Sequence, residues 1–234
     1  HHQVISYPPS ANPLFEEKKS ITNLPEVQNK FYPLHNHITS LPQKLESQVE
    51  ARNSYKRSAY LGNPLAQYTY ANMCLDGIGG DEDITEAKTY LEKVANQGVA
   101  EAQHQLATMY FLGLDGSKDL KKARNYYHMA AQLDHPLSQN NYALMCLDGT
   151  GGNKDLLEAK LYLKKSADLG NSHAQYWYGV MCFQGLGDDI NLTEARKSFK
   201  KSADQDDPLS QCKYAAMCFQ GLGDKQDIEE ALIY

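Results

Sequence analysis

A strict interval governs this sequence. Gln stands at 67, 103, 139, 175 and 211, Met at 73, 109, 145, 181 and 217, Gly at 77, 113, 149, 185 and 221, and Ala at 87, 123, 159, 195 and 231. Every step is 36 residues, with no insertion or deletion in these columns. A period of this length belongs to arrays in which each repeat is one supersecondary unit that buries its apolar faces against its neighbours. The repeats run 64–99, 100–135, 136–171, 172–207 and, stopping early, 208–234. Upstream, "EARNSYKRSAYLG" (50–62) aligns with "EAKTYLEKVANQG" (86–98), a half repeat.

Within a repeat the apolar spacing predicts two amphipathic helices. In the first, from about Pro64 to Asp76, Ala66, Tyr70, Met73 and Cys74 share one stripe. Pro64, Pro136 and Pro208 suit a first turn, where a missing N–H costs nothing. Gly77 then offers the left-handed residue that ends a helix. Asp83 with Glu86, Asp155 with Glu158 and Asp227 with Glu230 have the spacing of a capping box at the second helix. Its inner stripe is Ile84, Ala87, Tyr90/Leu91 and Val94/Ala95. The small residues of the Ala87 column and of Ala71, Ala107, Ala143, Gly179 and Ala215 allow the two helices to approach closely.

Residues 1–42 hold six of the nine prolines and no helical period, an irregular lead-in. Residues 43–63, with Leu45, Val49, Ser54 and Ser58/Ala59 on one face, form a capping helix for the first full repeat.

The pattern A-x-x-x-L/Y-A/G-x-M-C/Y-x-x-G-x-G, followed by D-x-x-x-A-x-x-Y-x-x-K-A/S-A-x-x-G, resembles the Sel-1-like repeat family, close kin of the tetratricopeptide repeat, over residues 50–234. The resemblance implies an all-α fold, a right-handed α-solenoid of stacked antiparallel hairpins. Three departures stand out: the family's aromatic at the Cys74 column survives only as Tyr110, Asp134 and Asp206 replace the turn glycine of Gly98 and Gly170, and Lys122 interrupts the capping box of the second repeat. Local loosening is expected there.

The repeat accounts for most residues that might otherwise carry chemistry. Cys74, Cys146, Cys182 and Cys218 occupy one column, and equivalent points of stacked repeats lie about 10 Å apart, too far for a disulfide. Free, buried thiols and a reducing compartment are expected. No histidine pair has the spacing of a helical metal site, His35 and His37 being only an H-x-H in the lead-in. The glycine-rich loops follow helices and lack a phosphate-loop lysine. No cofactor, metal or catalytic grouping is therefore expected. Asn191-Leu192-Thr193 is a glycosylation sequon only in a secretory pathway. A net charge of −6 argues against nucleic acid, and no apolar run is long enough to span a membrane. A monomer is expected, and because Tyr234 aligns with Tyr90 and Tyr162 the chain is expected to continue with the rest of its helix and a cap.

Two surfaces remain. In tetratricopeptide relatives the positions equivalent to 65, 68, 72, 75 and 76 line a concave groove that holds peptides. The partner-binding residues expected here are Tyr68, Asn72, His104, Thr108, Phe111, Asn140, Leu144, Tyr176, Val180 and Phe183, the 68 and 72 columns being read as exposed because their identities vary. The second surface is the ladder Lys88, Arg124, Lys160 and Arg196, interleaved with acids and read as a solvated face.

The function expected is thus a non-enzymatic adaptor that holds a partner peptide or helix in its groove. Members of the family include bacterial exported proteins that engage host partners. Two alternatives stand beside it: a hydrolytic enzyme, as proposed for cysteine-rich relatives, and an assembly factor in a eukaryotic membrane-associated complex.

Overall fold

A computed structural model describes residues 41–116 and 118–234; residues 1–40 of the lead-in, with His35 and His37, lie outside the described residues, while Leu41 and Pro42, read as part of it, open the first helix. Among these there are eleven helices and no strand. They fall into two compact units, one ending at Asp83 and the other running Ile84–Tyr234.

The first compact unit holds α1 (Leu41–Tyr60) and α2 (Pro64–Leu75), which pack on each other. Asn63 caps α2, its side chain accepting from the Ala66 N–H at 3.0 Å, and Pro64 takes the first turn. Gly77 follows the helix at φ 64°.

The second compact unit holds α3 (Ile84–Ala95), α4 (Ala100–Leu112), α5 (Leu120–Gln132), α6 (Pro136–Asp148), α7 (Leu156–Asp168), α8 (Ser172–Gln184), α9 (Leu192–Ala203), α10 (Pro208–Gln220) and the single turn α11 (Ile228–Ala231). Each packs on the next along the chain. Small residues let them do so: Ala87, Ala107, Ala123, Ala143, Ala159 and Ala195 are fully buried.

Gly179 shows how tight the approach is. A methyl group there would lie 2.9 Å from Phe199 Cε1, so the one glycine of its column faces a phenylalanine where α3 and α7 carry Leu91 and Leu163.

The invariant glutamine joins successive hairpins. Gln103 Nε2 donates to the Ala95 carbonyl at 3.0 Å, Gln139 to Ala131 at 3.3 Å and Gln175 to Ala167 at 3.1 Å. Each glutamine thereby gives a second donor to a carbonyl at the end of the preceding helix, which also accepts from the N–H of Gly98, Asp134 or Gly170. In the first compact unit Gln67 does the same for Ala59 at 3.1 Å.

Two sequence expectations need correction. The N-caps Asp119, Asp155, Asn191 and Asp227 accept from the N–H three residues on, at 2.9–3.0 Å. Their own N–H groups, however, donate to the carbonyls of Tyr110, Cys146, Cys182 and Cys218. The reciprocal half of a capping box is thus taken by the preceding helix. Glu230, released from that duty, accepts from Lys200 Nζ at 2.6 Å and from the Tyr214 hydroxyl at 3.0 Å. Lys122 consequently breaks nothing. Nor do the aspartates loosen their turns: Asp134 and Asp206 adopt φ 58° and 64°, and their N–H groups bond to Ala131 and Ala203 as those of Gly98 and Gly170 bond to Ala95 and Ala167.

Candidate functional site

The inner face is built by the first helix of each repeat. In the first compact unit Tyr68 and Asn72 are half-buried, beside an exposed Leu65. In the second, the structure departs from the reading of the columns. Thr108, Asn140, Leu144 and Val180 are buried, as is Phe111. The cause is visible at Thr108: its hydroxyl donates to the His104 carbonyl at 3.0 Å and meets the Tyr127 hydroxyl of α5 at 2.8 Å. The 72 column in α4, α6 and α8 is thus consumed by packing, and its varied identities are not evidence of exposure. His104 and Tyr176 are half-buried, and Tyr176 packs on Trp177 and Phe199 with ring centroids 5.4 and 5.9 Å apart.

What stays accessible is an apolar set that the columns only partly indicated. Leu137 is 42% exposed, Phe183 37%, Leu209 57% and Phe219 58%. Over the 65, 68, 72, 75 and 76 columns of α4, α6, α8 and α10 there is no Lys or Arg, and the carboxylates are Glu101 and Asp148.

The basic ladder is not a solvated face. Arg124 Nη2 donates to Cys146 Sγ at 3.1 Å and Nη1 to the Thr150 carbonyl at 3.4 Å. Arg196 repeats this one pair of repeats later, reaching Cys218 Sγ at 3.3 Å and the Lys225 carbonyl at 2.9 Å. In the first compact unit Arg52 does so with Cys74 Sγ at 3.4 Å and the Asp81 carbonyl at 3.0 Å. Where the column holds lysine, the loop supplies a carboxylate: Lys88 pairs with Asp115 and Lys160 with Asp188. The guanidinium fork can engage carbonyls and sulfur together, whereas an ammonium acts as a point charge on an anion. The alternation of Arg and Lys along the column, matched to the loop one repeat ahead, was the available signal for this.

Nothing in this arrangement is poised for nucleophilic chemistry. All five cysteines are free, Cys212 exposed and the others buried, and burial pushes the Cys146 and Cys182 thiols up, away from the thiolate. Ser138 lies between two imidazoles, its Oγ 2.8 Å from His104 Nδ1 and 3.0 Å from His135 Nδ1. It has no accessible surface, however, so no substrate reaches it. Burial, and after it the neighbouring His135, push His104 down to about 3, which leaves its ring a weak base. Among the described residues no cluster of three or more His, Cys, Asp or Glu could hold a metal ion, and no helix is long and apolar enough to cross a membrane.

The hairpins joined by glutamine and by a basic side chain define an α-helical repeat scaffold. The Sel1 repeat family model matches residues 64–99, 100–135, 136–171, 172–207 and 208–234, and the chain belongs to that family. No curated protein sequence matches significantly. Among solved structures, the chain is similar to a Sel1 repeat protein from Oxalobacter formigenes, with 24% identity, a TM-score of 0.71, and 82% of this chain and 81% of that one covered. It is equally similar to c5321, a protective antigen present in uropathogenic Escherichia coli strains displaying an SLR fold, with 24% identity, a TM-score of 0.71 and 84% of this chain covered. The chain spans 47% of the length of that antigen. Sel1 repeat proteins generally act in protein–protein interaction and are generally non-enzymatic repeat scaffolds.

Proposed function

We propose that the chain is an adaptor whose second compact unit docks a partner segment on the inner face around Leu137, Tyr176, Phe183, Leu209 and Phe219. The observation that carries this is the combination of exposed aliphatic and aromatic side chains with an absence of Lys and Arg across twenty inner positions. Aromatic anchors flanked by neutral amides such as Gln184 and Gln220 suit an apolar helix or extended peptide; the carboxylates Glu101 and Asp148 favour basic flanks and disfavour acidic ones. His104, Thr108, Phe111, Asn140, Leu144 and Val180 support the face from below in this reading, and Tyr68 and Asn72 offer a comparable surface in the first compact unit.

Selection from a random peptide library tests the reading. Peptides that bind the wild-type chain are expected to be rich in Leu and aromatics with Lys or Arg at the flanks. Phe183→Ala combined with Phe219→Ala is expected to weaken them about tenfold or more, since a buried aromatic anchor is worth about 2 kcal/mol. Melting should be unchanged, and Leu157→Ala, on an exposed side chain of α7, should bind normally. Selected peptides that are acidic, or that ignore the double substitution, refute the assignment.

A further inference from the structure

The start of α6 differs from the other helix starts of its class. At the equivalent position Asn63, Asn171 and Asp207 cap their helices with a side-chain oxygen, while Val99 before α4 gives no side-chain cap. Position 135 is a histidine, and its Nδ1 accepts from the Ser138 N–H at 3.2 Å. That bond requires the Nδ1 lone pair, so the proton of neutral His135 sits on Nε2. The Ser138 hydroxyl, also on His135 Nδ1, bridges to His104 Nδ1, and the two rings lie 4.6 Å apart.

We propose that His135, Ser138 and His104 form an acid-triggered latch on the first turn of α6, closed while His135 is neutral and opened when its Nδ1 takes a proton. The step is a simple protonation from solvent: the lone pair that accepted the Ser138 N–H binds H⁺, and the cap acceptor becomes a donor. The N–H of Ser138 is then without a partner, and the added charge stands at the positive end of a helix, where cations are disfavoured.

The surroundings decide the direction. Burial holds both imidazoles below their ordinary value of 6.5; Glu101 on α4 partly opposes this at His135, and His135 adds to it at His104. From α5 the Tyr127 ring faces His104 with centroids 5.5 Å apart, its hydroxyl turned to Thr108. The charged group that acts on His135 is Glu101, and the one that acts on His104 is His135 itself. The unfolded chain therefore binds more protons than the folded one once the pH falls below the ordinary imidazole value. The latch is at full strength above about pH 6.5 and weakens by up to about tenfold per pH unit per proton as the pH drops toward the folded values. Because Leu137 and Asn140 follow directly on α6, acid loosening alters the inner face locally. The geometry stands whether or not that face binds a partner.

Hydrogen exchange of the wild-type chain at about pH 7.5 and about pH 5, corrected for intrinsic rates, tests the latch with an internal control. Protection in the first turn of α6 is expected to fall about tenfold or more relative to the first turn of α8, which Asn171 caps. His135→Asn and His135→Asp, which install the caps used at 63, 171 and 207, are expected to make α6 track α8 at both pH values. Parallel behaviour of α6 and α8 in the wild type overturns the proposal, as does an acid-sensitive α6 in either variant.

Discussion

Arg124 on α5 donates from Nη2 to the Sγ of Cys146 on α6, 3.1 Å away, and through Nη1 holds the Thr150 carbonyl of the loop beyond. A single side chain thus ties one hairpin to both the helix and the turn of the next. Arg124→Lys should cost about 1 kcal/mol, because an ammonium cannot serve sulfur and carbonyl together and the loop from Gly149 to Asn153 offers no carboxylate. Urea unfolding followed by the fluorescence of Trp177, the single tryptophan, measures it. An unchanged midpoint counts against the clamp.

Gly179 and Phe199 are expected to be coupled. Gly179→Ala should destabilise by about 1–3 kcal/mol despite alanine's better helix propensity, since the methyl meets a buried ring. Adding Phe199→Leu, the residue type at 91 and 163, should recover most of that loss. Additive effects in the double-mutant cycle would show that the two side chains do not compete for the same space.

At Asp206, held at φ 64° on the surface, replacement by Ala should cost about 1 kcal/mol, whereas replacement by Gly should cost nothing. Thermal melting of the two variants side by side separates backbone strain from loss of the carboxylate: equal melting temperatures would mean that the carboxylate matters and the backbone does not.

Thiol accessibility gives a stoichiometric check. In the folded chain Cys212 should react promptly with a disulfide reagent, while Cys74, Cys146, Cys182 and Cys218 react only as fast as the chain opens. Two or more fast thiols at neutral pH would contradict the burial of that column.

The fold was legible because its determinants are local and repeated: Gly113, Gly149, Gly185 and Gly221 each take the left-handed conformation that their position after a helix required. The inner face was legible only in part. Thr108 is held by the Tyr127 hydroxyl across the hairpin and Gly179 makes room for Phe199, so a column can vary in identity and still be consumed by packing. The Lys88 to Arg196 ladder was misread for a related reason. Its partners lie in the following repeat, at a separation of 22 to 29 residues, where no helical periodicity points. The latch on α6 was invisible as well, since a histidine acting as a cap matches no metal or catalytic spacing.

The alternation of Arg and Lys implies a unit of inheritance longer than one hairpin. Excising residues 100–135 would set Lys88 against the loop of Gly151 and Gly152, which carries no acid to receive it, and strand the ammonium. Excising 100–171 would instead bring Lys88 to the loop that carries Asp188, its own kind of partner. Gene duplication or loss in this array should therefore be tolerated in steps of two repeats, with single-repeat steps surviving only where the loop changes along with the clamp.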